Sequence, residues 1–128
     1  MTLPRPDSLA EVARRSVDAG TFAYELVDFL HEFALRGEAS MLAEQPEPLC
    51  YRYELGGVHD AYLAAAAVYL CGKLACFPPL WTRDPERSLR EPWFASPGRH
   101  MRALLLVESP AAFRERNLFV TANALSVA

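Results

Sequence analysis

The sequence predicts a mainly α-helical protein: an irregular helical bundle in a single domain, arranged around a central apolar helix at about 60–77. Apolar residues recur at helical spacing in two N-terminal segments, and an Ala-rich apolar run then fills residues 60–77. A chain of 128 residues is long enough to bury one core without metal or disulfide support. We therefore assign residues 1–128 to one helical domain, with a Pro/Trp-rich surface segment over residues 78–98.

Two helices are predicted in the N-terminal part. The first lies near residues 8–19: Ser8 begins a capping box with the glutamate three positions later, and Gly20 is expected to end the helix. Thr21 is expected to cap the second helix, and Gly37 to close it. One face of this second helix carries apolar residues at helical spacing, namely Phe22, Leu26, Phe29, Leu30 and Phe33. It is the best amphipathic helix of the sequence.

Residues 38–58 are predicted to be a connector. Prolines interrupt a short helical turn near its start, and Leu49–Leu55 could be extended, although no partner strand is evident. Gly56–Gly57 is expected to break the chain before the central helix. Whether the connector contains a strand or only loops stays open.

The apolar run at 60–77 is better explained as a buried helix than as a membrane span. A span needs about 20 apolar residues, whereas this run is shorter, contains Lys73 and stops at two prolines. The small side chains of Ala64–Ala67 would let a neighbouring helix approach closely. That neighbour could belong to a second copy, so a homodimer that uses this face is one alternative.

The C-terminal part is predicted to be helical and then extended. A helix over Arg99–Glu108 is built around Met101, Leu104, Leu105 and Val107. Ser109 is expected to cap a short following helix, which Asn117 ends in a left-handed conformation. Leu118–Thr121 is β-prone but has no evident partner.

Charge and cysteine content narrow the classes of partner and compartment. The formal net charge is −3; residues 1–77 carry 6 basic and 11 acidic side chains, and residues 78–128 carry 7 and 5. Neither half has the basic excess typical of nucleic-acid binders, so we expect no nucleic-acid partner. An odd count of three cysteines and an N-terminus without signal-peptide features predict a cytoplasmic protein.

No catalytic site, metal site or cofactor is predicted. His31, His59 and His100 are far apart in the sequence, and no Cys or His pair has metal-ligand spacing. The sequence has neither a Gly-x-Ser-x-Gly elbow nor a phosphate-binding glycine loop. His59 and Asp60 could do acid–base chemistry, but entry into a helix is the commoner use of such residues.

The C-terminal segment is the best candidate for binding a protein partner. Arginine beside exposed aromatic residues is a usual composition of protein–protein contacts. We expect Phe119, or the region of Trp81 and Trp93, to be buried by the partner, with Arg114 and Arg116 pairing to its carboxylates. The alternative is a terminal element that packs on its own core and leaves these arginines solvated.

Part of the chain resembles a group of uncharacterised small bacterial proteins. The similar pieces cover about a third of the chain; they are Pro79–Trp81, Asp84–Pro85, Glu91–Phe94, Arg102–Arg114 and Arg116–Val120. Members of the group look like companions of nucleotidyltransferase-like proteins in gene pairs typical of toxin–antitoxin systems. The resemblance implies an antitoxin-like partner-binding role and brings no catalytic residue with it. Some longer relatives have a DNA-binding segment upstream, whose basic recognition helix residues 1–60 lack.

The predicted function is therefore non-enzymatic binding of a protein partner, plausible as the antitoxin-like half of a toxin–antitoxin pair. Two further alternatives stay open. A DNA-binding regulator would show affinity that falls steeply with salt, and a small enzyme would need a deep pocket with converging polar groups.

Overall fold

A computed structural model describes residues 3–96 and 98–126, and within them the chain forms six α-helices and two short strands. The helices are α1 Leu9–Arg15, α2 Ala19–Arg36, α3 Ser40–Ala43, α4 Gly56–Leu74, α5 Arg99–Glu108 and α6 Ala111–Arg114. The strands are β1 Trp93–Phe94 and β2 Leu118–Phe119, and two 3₁₀ turns occupy Leu80–Arg83 and Pro85–Arg87. The predicted mainly α-helical class is confirmed. Met1, Thr2, Pro97, Val127 and Ala128, which belong to the predicted 1–128 domain, lie outside the described residues.

Helix α4 lies at the centre of the core, as the apolar run predicts. All of Ala64–Ala67 are fully buried, and the surrounding core draws residues from Leu9 to Leu125. The helix ends where Ala75 adopts a left-handed conformation with φ 56°. Because other parts of the same chain cover Ala64–Ala67, these side chains are not available for the dimer seam that was one alternative. None of the helices in residues 3–96 and 98–126 combines the length and the apolar character of a membrane span.

The start of α4 differs from the prediction, because Gly56–Gly57 begins the helix instead of breaking the chain. A Cβ atom at Gly56 would overlap the backbone carbonyl of Leu49. The glycine therefore serves close contact between helix and connector, a use of glycine that sequence alone does not distinguish from a chain break.

The first two helices are capped as follows. The Ser8 hydroxyl accepts a hydrogen bond from the Glu11 amide, as predicted, and α1 ends at Arg15. The side chain of Asp18, not Thr21, caps α2. Thr21 is the third residue of that capping box, and its hydroxyl accepts a hydrogen bond from the Asp18 amide. The predicted stop at Gly20 and cap at Thr21 are therefore wrong. The predicted end at Gly37 is confirmed, and Gly37 adopts a left-handed conformation there.

The connector is held in turns by a carboxylate of α4. Asp60 accepts hydrogen bonds from the Leu49 amide at 2.7 Å and from the Cys50 amide at 3.0 Å. These bonds, together with full burial of the Leu49 side chain, fix the connector against the start of α4. The connector, all of which the structure describes, therefore contains turns and no strand. The Asp60 carboxylate bonds the two amides that a strand at this position would offer to a partner strand.

The Pro/Trp-rich segment crosses the outside of α4 and supplies β1. Strand β1 pairs in parallel with β2, with Trp93 opposite Leu118 and Phe94 opposite Phe119. The β-prone C-terminal segment therefore does have a partner, which lies about 25 residues earlier in the chain.

The polar residues around α6 partly follow the prediction. The predicted cap at Ser109 is wrong, because its hydroxyl donates to the Leu118 carbonyl and accepts from the Val120 amide instead. Asn117 has φ 62°, so the predicted left-handed end is confirmed.

Candidate functional site

Two of the five residues predicted to bind a partner are engaged inside the fold. Trp81 is 8% exposed, and its indole nitrogen donates to the Leu42 carbonyl at 3.2 Å. The guanidinium of Arg116 donates to the Thr82 carbonyl at 2.7 Å and to the Ala112 carbonyl at 3.2 Å. Burial lowers the pKa of Arg116. Both side chains thus hold chain segments together in the structure.

The other three predicted residues lie nearer the surface. Arg114 is exposed on α6, whereas Trp93 and Phe119 are half-buried on the two paired strands. The structure places Trp93 and Phe119 on neighbouring strands, and it keeps Trp81 in the core.

A cation and two aromatic rings are stacked beside these strands. The rings of Phe94 and Phe119 lie 4.9 Å apart at an angle of 19°, and the Arg102 guanidinium lies 5.2 Å from the centre of the Phe94 ring. Arg102 belongs to α5, so this stack joins the helix to the strand pair. Stacking of an arginine over an aromatic ring contributes about 0.5–1 kcal/mol at an exposed position.

Helix α5 exposes most of its apolar side chains. Only Leu105 is buried, whereas Leu104 is 48%, Leu106 49% and Val107 81% exposed. We call Leu104, Leu106 and Val107 the α5 face. Apolar spacing on this helix predicts burial, yet the structure leaves this face without a covering element among the described residues. Scattered exposed apolar residues are ordinary on a protein surface, whereas these three lie together on one short helix.

The exposed arginines of the C-terminal part differ from those of the N-terminal part in forming no ion pairs with described residues. Every ion pair among the described residues lies between residues 5 and 52. Five exposed arginines of the C-terminal part make no ion pair with any described residue: Arg83, Arg90, Arg99, Arg102 and Arg114. Two of them, Arg99 and Arg102, lie on the Leu106 side of α5, since positions four and seven apart share one side of a helix.

The exposed side of α2 is acidic in composition, but its carboxylates are paired. Glu25 bonds Arg15 at 3.3 Å, and Glu32 lies 3.6 Å from Arg36. This arrangement presents no basic surface to phosphate groups, which recognition of DNA by a helix normally requires.

His59 is surrounded by aromatic rings, and the carboxylate of the neighbouring Asp60 accepts its hydrogen bonds from the connector. The imidazole stacks on the Phe22 ring at 3.9 Å and 5°, and its Nδ1 lies 2.7 Å from the Tyr53 hydroxyl. Burial lowers the pKa of His59 from 6.5 to about 4. Burial, and then the charge of Asp60, raises the pKa of Tyr53 to about 12. The pair is therefore neutral at physiological pH.

A cavity of about 240 Å³ opens beside His59. Its wall is formed by one face of α2, by His59 and Tyr62 of α4, by Trp93 and by Ala124; the α2 residues are Ala19, Phe22, Ala23, Leu26, Val27 and Leu30. Burial raises the pKa of Tyr62 to about 12. No side chain that lines the cavity carries a charge at neutral pH.

The described residues contain no cluster of metal ligands, and the Cys71 thiol is not activated. No group of three or more His, Cys, Asp or Glu side chains in residues 3–96 and 98–126 could hold a metal ion. Burial raises the pKa of Cys71 to about 12, so its thiol is protonated and a poor nucleophile.

Sequence reasoning missed the α5 face and the cavity for different reasons. The α5 face was missed because apolar residues at helical spacing normally predict a buried face, whereas these residues are exposed. The cavity had one readable signal, since His59 and Tyr62 are three positions apart and must share a side of α4. Tyr53 carried no comparable signal, because only the folded connector brings it to His59.

Comparisons of this chain with protein-family models, with curated proteins and with solved structures each found no match.

Proposed function

We propose that this chain is a non-enzymatic protein-binding module and that it docks a protein partner through the α5 face. The observation that carries the proposal is the exposure of Leu104, Leu106 and Val107 on one short helix beside two arginines without ion pairs. Burial of these side chains in a complex would be favourable by roughly 25 cal/mol for each Å² of apolar surface removed from water.

Charge selects the kind of partner. A partner that covers the α5 face must meet Arg99 and Arg102, which form no ion pair with any described carboxylate. A complementary partner therefore presents an apolar groove with carboxylates along one edge, because opposite charges speed association and fix orientation. The carboxylates of α2 already form ion pairs within the chain, and they would repel the carboxylates of such a partner. Docking on α2 is therefore disfavoured.

The resemblance to antitoxin-like companions suggests which protein to test. If this chain is the antitoxin-like half of a pair, the partner is the product of the adjacent gene, a nucleotidyltransferase-like protein. Of the residues predicted from the sequence, Arg114, Trp93 and Phe119 stay candidates for the contact. Trp81 and Arg116 support the fold instead.

The test is co-expression with the adjacent gene product, followed by calorimetry of the purified proteins. We expect the double variant L104E/V107E to weaken binding by about 100-fold or more, since it would force two carboxylates into an apolar contact. The matched control is V17E/L35E, which changes two apolar residues that are 64% and 76% exposed elsewhere. This control should bind like the unchanged chain.

Point variants are preferable to removing residues 109–128. Phe113, Leu118 and Val120 from that segment are in the core, so a deletion would unfold the chain and report on stability alone. Three outcomes would overturn the proposal: no association with the adjacent gene product, equal loss of binding in both double variants, or self-association of the isolated chain through the α5 face. Light scattering of the isolated chain measures the last of these.

A further inference from the structure

Two polar side-chain atoms of α4 residues that line the cavity beside α2 bond no described residue of the protein. His59 uses Nδ1 for the Tyr53 hydroxyl, while its Nε2 and the hydroxyl of Tyr62 have no hydrogen-bond partner among the described residues. His59 is only 8% exposed. Among the described residues, the only fully buried side-chain polar atom without a hydrogen-bond partner is Nε of Arg116. Nε2 of His59 and the Tyr62 hydroxyl are therefore in contact with solvent.

The hydrogen bond to Tyr53 determines which ring nitrogen of His59 carries the proton. A phenol is a better donor than a neutral imidazole, and an imidazole nitrogen is a better acceptor than a phenol oxygen. The Tyr53 hydroxyl therefore donates to Nδ1, which leaves the proton of neutral His59 on Nε2. Nε2 is then a donor at the cavity wall, and the Tyr62 hydroxyl can donate beside it.

We propose that this cavity binds a small neutral aromatic molecule through an oxygen that accepts hydrogen bonds from His59 Nε2 and the Tyr62 hydroxyl. The two residues are three positions apart, so they share one side of α4, and both line the cavity. An unpaired polar group in an apolar wall is typical of small-molecule sites, where few polar groups fix the orientation of the ligand.

The ligand is neutral because the cavity offers nothing to balance a charge. Its lining contains no arginine, lysine or carboxylate. Burial keeps His59 uncharged, since it lowers the pKa to about 4. A carboxylate ligand would lose its hydration in this wall without gaining an ion pair, and that loss is costly.

The walls and the volume favour an aromatic ring. Phe22, Tyr62 and Trp93 present rings to the cavity, and Phe22 and Tyr62 already meet edge to face with ring centres 6.0 Å apart. The cavity of about 240 Å³ exceeds the roughly 150 Å³ that holds benzene in an engineered apolar cavity. The volume is therefore sufficient for one ring with a short oxygen-bearing substituent.

The test uses three probes of similar size: acetophenone, benzoate and isopropylbenzene. Titration of the full chain is followed by the NMR signals of the Trp93 and His59 rings. We expect acetophenone to bind, isopropylbenzene to bind about five- to tenfold more weakly because it lacks the acceptor, and benzoate not to bind. Absence of acetophenone binding at millimolar concentration, or benzoate binding as tight as acetophenone binding, would overturn the proposal.

Two variants and one control variant test the position of the site. Tyr62→Phe should lower acetophenone affinity about five- to tenfold, while Tyr69→Phe, two turns further along α4 and away from the cavity, should leave it unchanged. Ala23→Leu places a larger side chain at the exposed mouth and should abolish binding without entering the core. Equal effects of the two tyrosine variants, or full binding by Ala23→Leu, would also reject the site. None of these residues belongs to the α5 face, so this result stands or fails separately from partner binding.

Discussion

The guanidinium of Arg87 stacks over the indole of Trp81, with 4.9 Å between the guanidinium carbon and the ring centre. Both side chains donate to backbone carbonyls before α4: Trp81 to Leu42 and Arg87 to Pro46, the latter at 2.7 Å. The Pro/Trp-rich segment is therefore fastened to the connector by a stacked pair whose donors face inward. Neither residue is free to meet another protein.

We expect Arg87→Met to lower the free energy of unfolding by about 2–3 kcal/mol. The methionine fills part of the space, but the carbonyls of Pro46 and Asp60 lose their buried donor. Arg83→Met, at an exposed arginine without an ion pair, is the control and should stay within about 0.5 kcal/mol. Urea denaturation followed by tryptophan fluorescence measures both. Similar stability of the two variants would show that the buried bonds of Arg87 contribute little.

Three glycines of α4 should respond differently to alanine. Gly56→Ala is expected to lower the free energy of unfolding by about 3 kcal/mol, because its Cβ would overlap the Leu49 carbonyl. At Gly57 the nearest atom to a Cβ is 3.8 Å away, so alanine should be tolerated there. Gly72→Ala meets nothing within 4 Å and should stabilise the helix by about 0.5–1 kcal/mol. Thermal unfolding of the three variants gives this order, and a stable Gly56→Ala would contradict the close contact.

The interior position of α4 could be predicted because residues 61–72 form an apolar run without a charged residue, and such a run is most stable when it is buried. The capping of α2 could not, since Asp18 and Thr21 are both good caps and the choice depends on which one faces the free amides. The sequence predicted a partner-binding segment in the C-terminal third, and the structure adds the exposed apolar residues of α5 in that same third. Arg114 and Arg116 are two positions apart with the same chemistry, and only the tertiary approach of Thr82 distinguishes them.

His59 should make the protein less stable as the pH falls. Its folded-state pKa is about 4, below the 6.5 of an exposed imidazole, so the unfolded chain binds the proton at higher pH. Stability is unaffected by His59 above pH 6.5 and decreases as the pH falls from about 6.5 to about 4. We expect a loss of about 2 kcal/mol between pH 7.5 and pH 5.

The measurement compares urea denaturation of the unchanged chain and of His59→Gln across that range. Glutamine cannot take up a proton, so the difference in stability between the two proteins should shrink at lower pH. Comparison with each protein's own value at pH 7.5 removes the constant effect of the lost stacking on Phe22. A difference that is constant from pH 7.5 to pH 5 would show that His59 titrates alike in the folded and unfolded chain.

Arg114 and Arg116 should separate partner binding from stability. Arg116→Met removes the donor of the Thr82 and Ala112 carbonyls, so we expect a loss of about 2 kcal/mol in the free energy of unfolding. Arg114→Met, at an exposed position, should change stability by less than about 0.5 kcal/mol. If the proposed complex forms, Arg114→Met should weaken it more at low salt than at high salt, because salt screens exposed charges. Denaturation measures the first effect and calorimetry at two salt concentrations the second. Equal destabilisation by both variants would mean that burial does not distinguish these arginines, and the division between supporting and contacting residues would fail with it.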